Sequence, residues 1–415
     1  MTDTNSSETP ASPETYVVVG GGQAGAAAVS AMRAAGFTGR IVLVGGEPHL
    51  PYERPPLSKE MLVKPETAHP IIHPAAFYEE KAIDCRFGDA AIGLDVDEMR
   101  LDLASGEAIV FDKLLLATGA RARPYPLLDQ LGVGVHTLRT LDDAEGLRGH
   151  IWPGRRMLVV GGGVIGLEVA ASGIAMGAKV TVIERADRLM ARGAPAPMVE
   201  ALAALHTAHG VRFELGAEIV EATRTSDGEI TLVTSDGRRF VGDLVVYGIG
   251  VELAVELAVS AGLKVEDGIV VDECGRTSHP AIFAAGDVAR QWYPDLGRHL
   301  RLETWANAQN QGTGVGRAMV TGAPIDVEVP WYWTDQYGHN FQVAGSTTAD
   351  EWLRRGAEGA AKYTLLGLTD GVVTGALTVD NGREMRPLRA MIAARRRVAD
   401  RAALADPKTD LRKLA

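Results

Sequence analysis

A glycine-rich loop that occurs twice constrains this 415-residue chain more than any other feature of its sequence. One copy runs from Gly20 to Gly25 and the other from Gly161 to Gly166, and both read G-x-G-x-x-G. Each follows an apolar run typical of a buried strand and opens a run typical of a helix. In such a unit the glycines bring the backbone close to a pyrophosphate, which the helix N-terminus binds. Two copies predict two bound dinucleotides, most economically a flavin that takes hydride from a nicotinamide.

A second predicted strand follows each helix and leads to an acidic residue, Glu47 in the first unit and Glu184 in the second. An acid placed about twenty residues after the loop accepts hydrogen bonds from ribose hydroxyls. Glu184 would accept from the 2′-OH of NADH and repel the extra phosphate of NADPH, which favours NADH. Arg185 leaves the preference less strict, because an adjacent arginine can accommodate that phosphate.

Composition excludes several other classes of protein. The formal net charge of −11 argues against a nucleic-acid partner, because no broad basic surface is available to displace counterions. Cys85 and Cys274 form no C-x-x-C, so we predict no dithiol motif, disulfide framework or metal site. No apolar run reaches about 18 residues, which predicts no membrane span. Residues 1–14 are polar and unlike a signal peptide, and we expect a cytoplasmic protein.

Further motifs link the two loops into a recognisable pattern. They are Pro51 to Lys59, Leu116 to Gly119, Gly161 to Glu168, Ala285 to Val288, Glu303 to Gly312 and Pro330 to Gln336. From Val17 to Leu414 the chain resembles the flavin-dependent ferredoxin reductases of bacterial oxygenase systems. That family includes putidaredoxin reductase and the reductases of biphenyl-type ring-hydroxylating dioxygenases, and the dioxygenase branch resembles the chain more.

The resemblance implies an α/β, glutathione-reductase-like fold with two Rossmann-type dinucleotide-binding domains and a C-terminal α+β domain. We expect a disordered tail over 1–14, an FAD-binding domain over 15–121 and 250–328, and an NADH-binding domain inserted over 122–249. The C-terminal domain would cover 329–415. Its last part, Arg386 to Arg401, reads as a basic helix.

The resemblance also implies two sets of cofactor-binding residues. The FAD set is Gly20, Gly22, Gln23, Ala24, Gly25, Glu47, Arg54, Lys59, Ala91, Ala117, Thr118, Gly119, Arg139, Gly286, Asp287, Glu303, Thr304, Trp305 and Trp333. The NAD set is Gly161, Gly163, Val164, Ile165, Gly166, Glu168, Glu184, Arg185 and Gly250. Alternatives remain for some members: Asp287 could be a turn residue, and the acidic stretch after Arg139 could simply cap a helix.

Three residues are expected to serve the chemistry. The resemblance implies that Lys59 lies near the flavin N5 edge and pairs with Glu168, where its charge would stabilise the reduced flavin. Hydride transfer needs the nicotinamide held within about 3–3.5 Å of N5 rather than an acid or base. Trp333 is expected beside the flavin where electrons leave, although Trp331 and Trp333 could also be core aromatics of a strand.

The predicted function is an NADH-dependent reductase that passes electrons singly from FAD to a [2Fe–2S] ferredoxin serving an oxygenase. The alternatives of the same fold are an NADH oxidase or peroxidase and a rubredoxin reductase. NADH oxidases and peroxidases usually need a redox cysteine near the flavin, and the segment from Gly45 to Lys59 contains none. A signalling flavoprotein like the apoptosis-inducing factors lacks support from any basic run. The best candidate for a ferredoxin-docking patch is a group of arginines: Arg383, Arg386, Arg389, Arg395, Arg396 and Arg397.

Overall fold

The computed structural model describes residues 13–191, 193–293, 297–395 and 397–414 of the chain. The predicted disordered tail therefore lies, except for Pro13 and Glu14, outside the described residues. Within the described ranges, no helix combines the length and apolarity that a membrane crossing would require.

Strands and helices alternate around both glycine-rich loops. The first stretch contains β1 (Thr15–Val19), α1 (Gln23–Ala34), β2 (Arg40–Gly45), α2 (Glu60–Val63), α3 (Ala75–Glu80), β3 (Ile83–Phe87), β4 (Ala91–Asp95), β5 (Arg100–Leu103), β6 (Ala108–Val110), β7 (Lys113–Leu116) and β8 (Ala120–Ala122). The second contains α4 (Pro126–Asp129), β9 (Val135–His136), α5 (Leu141–Arg148), β10 (Arg156–Val160), α6 (Val164–Ala175), β11 (Lys179–Ile183), α7 (Ala196–Ala208), β12 (Arg212–Glu214), β13 (Ile219–Arg224), β14 (Ile230–Thr234), β15 (Arg239–Gly242) and β16 (Leu244–Tyr247).

The remaining elements follow the second loop's unit. They are first β17 (Val251–Leu253), α8 (Glu256–Ser260), β18 (Ile269–Val271), β19 (Ile282–Ala284), β20 (Ala289–Tyr293), β21 (Arg298–Leu300) and α9 (Trp305–Thr321). The C-terminal stretch then contains β22 (Trp331–Gln336), β23 (His339–Gly345), β24 (Glu351–Arg355), β25 (Tyr363–Thr369), β26 (Val372–Val379), α10 (Met385–Ala394) and α11 (Arg401–Ala405).

Each glycine-rich loop leaves the central strand of a five-stranded parallel sheet. The first sheet has the order β19-β7-β1-β2-β3 and the second β12-β11-β10-β16-β9. In β1, Val17 and Val19 pack on one side of the sheet while Val18 packs on the other. Because both faces are buried, the strand is continuously apolar, as parallel strands usually are.

The chain returns to the first sheet after completing the second. Strand β19 pairs with β7, so segments on either side of the second unit build one sheet. Helix α9 then packs along α1, where Gly312 and Gly316 face Ala24 and Ala28. A Cβ on Gly312 would lie 2.3 Å from the Ala24 carbonyl oxygen, so only glycine permits this approach. The contact fixes the start of α9 beside the first loop.

The C-terminal stretch forms an antiparallel sheet in the order β22-β23-β26-β25-β24. One face packs on α10 through Leu388 and Met391. The opposite face, including Val343, shares a core with Leu62 from α2 and Leu167 from α6. One apolar cluster thus joins segments of all three parts of the chain.

The predicted basic helix over Arg386 to Arg401 is wrong. Helix α10 ends at Ala394, because Arg395 adopts a left-handed conformation with φ of 49°. The chain then turns back, and Arg397 forms a bridge with Val372 at the start of β26. Arg396 lies outside the described residues. Arg386 and Arg389 therefore lie on α10, whereas Arg395 and Arg397 lie on the segment that follows the helix.

Candidate active site

Both glycine-rich loops have the same close-packed geometry. A Cβ on Gly20 would lie 2.1 Å from the Ala117 carbonyl oxygen, and one on Gly161 would lie 2.4 Å from that of Gly248. On Gly25 and Gly166 a Cβ would approach the carbonyl oxygen of the first glycine of each loop to 2.0 Å. These positions exclude any side chain, so the glycines are required by packing of strand, loop and helix.

The helices that follow the loops both begin without a side-chain cap. The N-cap residues are Gly22 for α1 and Gly163 for α6, and neither helix has an acidic residue in its first turn. The first-turn N–H groups and the positive end of the helix dipole are therefore free to bind an anion. A Cβ at Gly22 or Gly163 would meet nothing within 4 Å, so open space lies in front of each helix. The arrangement suits a pyrophosphate at each loop.

Glu47 lies in a polar cluster at the end of β2. Its carboxylate accepts hydrogen bonds from the Tyr52 hydroxyl and from Arg54 Nη2, the latter at 3.0 Å. Arg54 also donates to the Arg139 carbonyl oxygen. Burial of Tyr52, together with the Glu47 carboxylate and against the opposing effect of Arg54, raises the pKa of its phenol to about 12. Tyr52 therefore stays a neutral donor that fixes the acid predicted to bind a ribose.

Arg139 and Asp287 meet although they lie far apart in sequence. Arg139 Nη2 lies 3.0 Å from Asp287 Oδ2, and Arg139 Nε donates to the Ala120 carbonyl oxygen at 3.0 Å. The neighbouring acid, Asp143, forms a capping box with Thr140 at the start of α5. Helix capping and the Arg139 contact thus coexist, because separate residues of the stretch perform them.

The start of α9 closes the other side of the first loop. Thr304 caps this helix, and Glu303 turns its carboxylate to Arg301 Nη1 at 2.5 Å. Gly286 N–H donates to the buried Gln311 Oε1 at 2.7 Å, which holds the Gly-Asp turn against α9. Gln23 Nε2 donates to Gln309 Oε1 at 2.5 Å.

The other predicted FAD residues lie on adjoining segments. Thr118 Oγ1 donates to the Ala254 carbonyl oxygen at 2.6 Å, so its hydroxyl connects the segment after β7 to the segment after β17. Gly119 has a φ of 65° and accepts from Ala254 N–H. Ala91 begins β4 in a separate three-stranded sheet, and the residue before it, Ala90, lies against Gly46.

The first site fits a flavin dinucleotide by its own geometry. Besides the glycine cradle and the uncapped helix, two buried polar atoms, Gln23 Oε1 and Trp305 Nε1, have no hydrogen-bond partner within the described part of the chain. Unpaired buried polar atoms are costly, and a ligand with polar groups can satisfy them. Gln23 belongs to the loop and begins α1, and Trp305 begins α9, the helix that packs along α1.

At the second loop, Glu184 binds the loop itself. Its carboxylate accepts from Gly162 N–H at 2.6 Å and from Ala186 N–H at 2.7 Å. Each oxygen keeps a free lone pair, so a ribose hydroxyl can still donate to it. Arg185 is exposed, and so is Ile165 at the start of α6, whereas Val164 packs against the shared core. Gly250 lies where the chain leaves this unit and accepts from Arg123 N–H at 3.0 Å.

A buried ion pair lies where the two loop units meet. Lys59 Nζ lies 3.1 Å from Glu168 Oε2, and the exposed fractions of the two side chains are 14% and 3%. The Ser58 hydroxyl also donates to Oε2, and Thr334 Oγ1 lies 2.5 Å from Oε1. Three donors from two other parts of the chain therefore stabilise the charge on a residue of α6. The distance brings together the two residues predicted to pair.

Three tryptophans form a line of ring contacts, and one of them, Trp333, precedes Thr334 in β22. The ring centroids of Trp305 and Trp333 are 5.5 Å apart, and those of Trp333 and Trp331 are 5.6 Å apart. Arg389 lies over the Trp331 ring at 5.2 Å and pairs with Glu328. All three rings are only partly buried. They thus form a continuous series of ring contacts between the start of α9 and β22.

Sequence reasoning missed several residues that complete the site. Tyr52 and Ser58 belong to the Pro51 to Lys59 motif, and Thr334 and Gln336 to the Pro330 to Gln336 motif, but none was assigned a role. The strand period could have identified Thr334 and Gln336, since positions two apart share a face. His206, which contacts Gln336 Oε1, had no recognisable signal.

The fold and the paired loops define a class of two-dinucleotide oxidoreductases, and comparisons agree. Residues 14–312 match the family described as pyridine nucleotide-disulphide oxidoreductase, and residues 331–415 match a reductase C-terminal family. A relative from Photorhabdus laumondii subsp. laumondii is 46% identical over 380 residues, covering 92% of this chain and 96% of the relative. It is named 3-phenylpropionate/cinnamic acid dioxygenase ferredoxin–NAD(+) reductase component.

Two solved structures are also similar over nearly the whole chain. The putidaredoxin reductase of a covalent complex with putidaredoxin has a TM-score of 0.90 at 32% identity, covering 97% of this chain and 98% of that chain. The ferredoxin reductase for the CYP199A2 system of Rhodopseudomonas palustris has a TM-score of 0.90 at 34% identity, covering 97% and 100%.

The chain therefore belongs to the pyridine nucleotide-disulphide oxidoreductase family. The family resemblance and the fold class predicted from the sequence are confirmed. The prediction of an oxidoreductase is confirmed as well.

Proposed function

We propose that the chain is an NADH-dependent, FAD-containing reductase that passes electrons to a [2Fe–2S] ferredoxin of an oxygenase system. The observation that carries this conclusion is the Lys59–Glu168 ion pair, which joins the unit of the first loop to the helix of the second. Relatives named as ferredoxin reductase components support the activity, the two cofactors and the partner.

The first loop's site would hold FAD, whose chemistry would be to accept a hydride from NADH and to release the two electrons one at a time. The chain supplies binding and electrostatics for that chemistry. The N–H groups at the starts of α1 and α6 would hold the two pyrophosphates. Glu47, kept in place by Tyr52 and Arg54, would accept from the ribose of the flavin dinucleotide, and Glu184 from that of NADH.

Lys59 would supply the positive charge of the site. A fixed cation in a partly dehydrated junction stabilises negative charge that arrives with a hydride, and no reorganisation of water is needed. Glu168 holds the ammonium group at 3.1 Å, and it is itself held by Ser58 and Thr334. The FAD and NAD residue sets named from the sequence remain part of this proposal.

The line of Trp305, Trp333 and Trp331 would mark the side on which electrons leave. Arg389 at its outer end supplies a positive charge, although Glu328 partly neutralises it. An acidic ferredoxin would be steered by such local charge, against the net charge of −11 on the chain.

Chemistry through a redox cysteine gains no support. Burial, with a smaller effect of Asp84, raises the pKa of the Cys85 thiol to about 11, so the reactive thiolate is scarce at neutral pH. Cys274 is buried. These features disfavour an oxidase or peroxidase that cycles a cysteine. A cytoplasmic site of action would suit a consumer of NADH.

Anaerobic titration of the purified protein tests the proposal. We expect a yellow protein with one FAD, whose absorbance bleaches with one equivalent of NADH and recovers when a [2Fe–2S] ferredoxin is added. A colourless protein that binds no added FAD, or a flavin that NADH does not reduce, would contradict it.

A further inference from the structure

A chain of buried hydrogen bonds reaches Glu168 from the C-terminal sheet. Gln336 Nε2 lies 3.0 Å from Thr334 Oγ1, and Gln336 Oε1 lies 2.5 Å from His206 Nε2. His206 Nδ1 lies 3.0 Å from the Tyr337 hydroxyl. Thr334 and His206 are 0% exposed and Gln336 is 2% exposed. The mechanism above uses Thr334 but assigns no role to Gln336, His206 or Tyr337.

The charge on Glu168 fixes the direction of every bond in this chain. A carboxylate only accepts, so the Thr334 hydroxyl donates to Oε1, and its oxygen can then accept from the Gln336 amide nitrogen. The Gln336 carbonyl oxygen therefore faces His206, whose Nε2 must carry the proton. Nδ1 is left as an acceptor for the Tyr337 hydroxyl. All donors thus point toward Glu168.

Two further observations support this chain of hydrogen bonds. Burial is the main cause that lowers the pKa of His206 below its usual value, which keeps the ring neutral as these bonds require. Tyr337 has a φ of 52° in the turn between β22 and β23. That conformation suits Asn or Gly far better than an aromatic residue, and here it brings the hydroxyl to His206.

We propose that Thr334, Gln336 and His206 are positioning residues, which hold the Glu168 carboxylate in the orientation that receives Lys59. The C-terminal sheet would then serve the reduction of the flavin by NADH in addition to any contact with the ferredoxin. This inference rests on the proposed function, because it assigns the rate effect to the Lys59–Glu168 pair.

The chain offers a matched pair of threonines for the test. Thr334 and Thr378 lie in the same sheet and both are 0% exposed, but Thr378 Oγ1 has no hydrogen-bond partner within the described residues. Thr334→Val and Thr378→Val therefore each remove one threonine hydroxyl at equal burial, and only Thr334→Val breaks the chain of hydrogen bonds. Thr334→Ser keeps the hydroxyl.

Stopped-flow reduction by NADH should be about tenfold slower in Thr334→Val, close to wild type in Thr378→Val, and largely recovered in Thr334→Ser. The Kd for NAD+, measured by calorimetry, should stay within about twofold, because positioning and not binding is lost. In a Lys59→Met background, Thr334→Val should add no further effect.

Equal rates in the two valine variants, whether both are normal or both slow, would overturn the proposal. A parallel loss of NAD+ affinity would also overturn it, and so would a Thr334→Val substitution that slows reduction by the same factor in the Lys59→Met background.

Nitrogen-15 NMR of labelled histidine, assigned with His206→Gln, gives a readout without turnover. It should find a neutral His206 with its proton on Nε2, and a proton on Nδ1 would contradict the chain. If NADH fails to reduce the wild type, the proposed function fails and this NMR result still decides the chain.

Discussion

Lys59 and Glu168 are 109 positions apart in the sequence, yet Nζ and Oε2 lie 3.1 Å apart in a junction that buries most of both side chains. Ser58 contributes from the same segment as Lys59, and Thr334 contributes from the C-terminal sheet. Breaking a buried ion pair by removing one partner typically costs about 3–5 kcal/mol, because the remaining charge is left unpaired. The pair therefore couples the mutual position of the units to the chemistry proposed between them.

Replacing Lys59 should separate cofactor binding from cofactor reduction. Lys59→Met should retain FAD but slow reduction by NADH about tenfold or more, because the positive charge is lost. Lys64→Met removes an exposed lysine of the same segment and serves as the control. Stopped-flow absorbance measures both. Reduction at the wild-type rate in Lys59→Met would show that the ion pair is purely structural.

Glu184 should decide the choice of nicotinamide. Glu184→Ala should narrow the preference for NADH over NADPH by about tenfold, because a ribose acceptor and a phosphate-repelling charge disappear together. It should also lower the melting temperature, since Gly162 N–H and Ala186 N–H lose their acceptor. Asp187→Ala, an exposed acid nearby, is the control. If wild type prefers NADPH, Arg185 and not Glu184 determines the specificity.

The contact between Arg139 and Asp287 should affect retention of FAD. Arg139→Met leaves Asp287 without its partner and removes the donor to the Ala120 carbonyl oxygen. We expect the Kd for FAD to rise about tenfold, which corresponds to about 1.4 kcal/mol. Arg148→Met, on the exposed side of α5, should leave FAD content unchanged. The ratio of flavin to protein after gel filtration measures the effect, and equal ratios would remove Arg139 from the site.

His206 should make stability depend on pH. Its pKa in the folded protein is lowered mainly by burial and less by His209, against the opposing hydrogen bond with Gln336. Below the unfolded value of about 6.5, the unfolded chain binds a proton that the folded chain does not, so stability falls as pH decreases. Between pH 7.5 and 5.5 the melting temperature of wild type should fall more than that of His206→Gln. Equal falls would contradict the assignment, and the other histidines cancel in this comparison.

The parts that the sequence predicted are those in which local pattern determines structure. The loops could be identified because glycines at Gly20, Gly25, Gly161 and Gly166 are required by backbone contacts within one strand–loop–helix unit.

What the sequence did not predict depends on contacts between distant segments. Nothing near His206 indicates that it meets Gln336, because the contact exists only after the C-terminal sheet packs on α7. The end of α10 was missed for a related reason. Arg395 turns the chain so that Arg397 can bridge to Val372, and that partner is remote in sequence.

Ferredoxin-coupled reduction of cytochrome c tests the central claim most directly. The protein is mixed with NADH, cytochrome c and, in separate runs, Rieske-type or plant-type [2Fe–2S] ferredoxins. The account predicts turnover that requires both NADH and a ferredoxin. Added salt should slow this turnover, because at ordinary ionic strength charges farther apart than about 8–10 Å are screened from each other. The reduction of the flavin by NADH should change far less. Equal turnover with NADPH and NADH would contradict it. So would a rate of NADH oxidation by oxygen alone that equals the rate measured with each ferredoxin present.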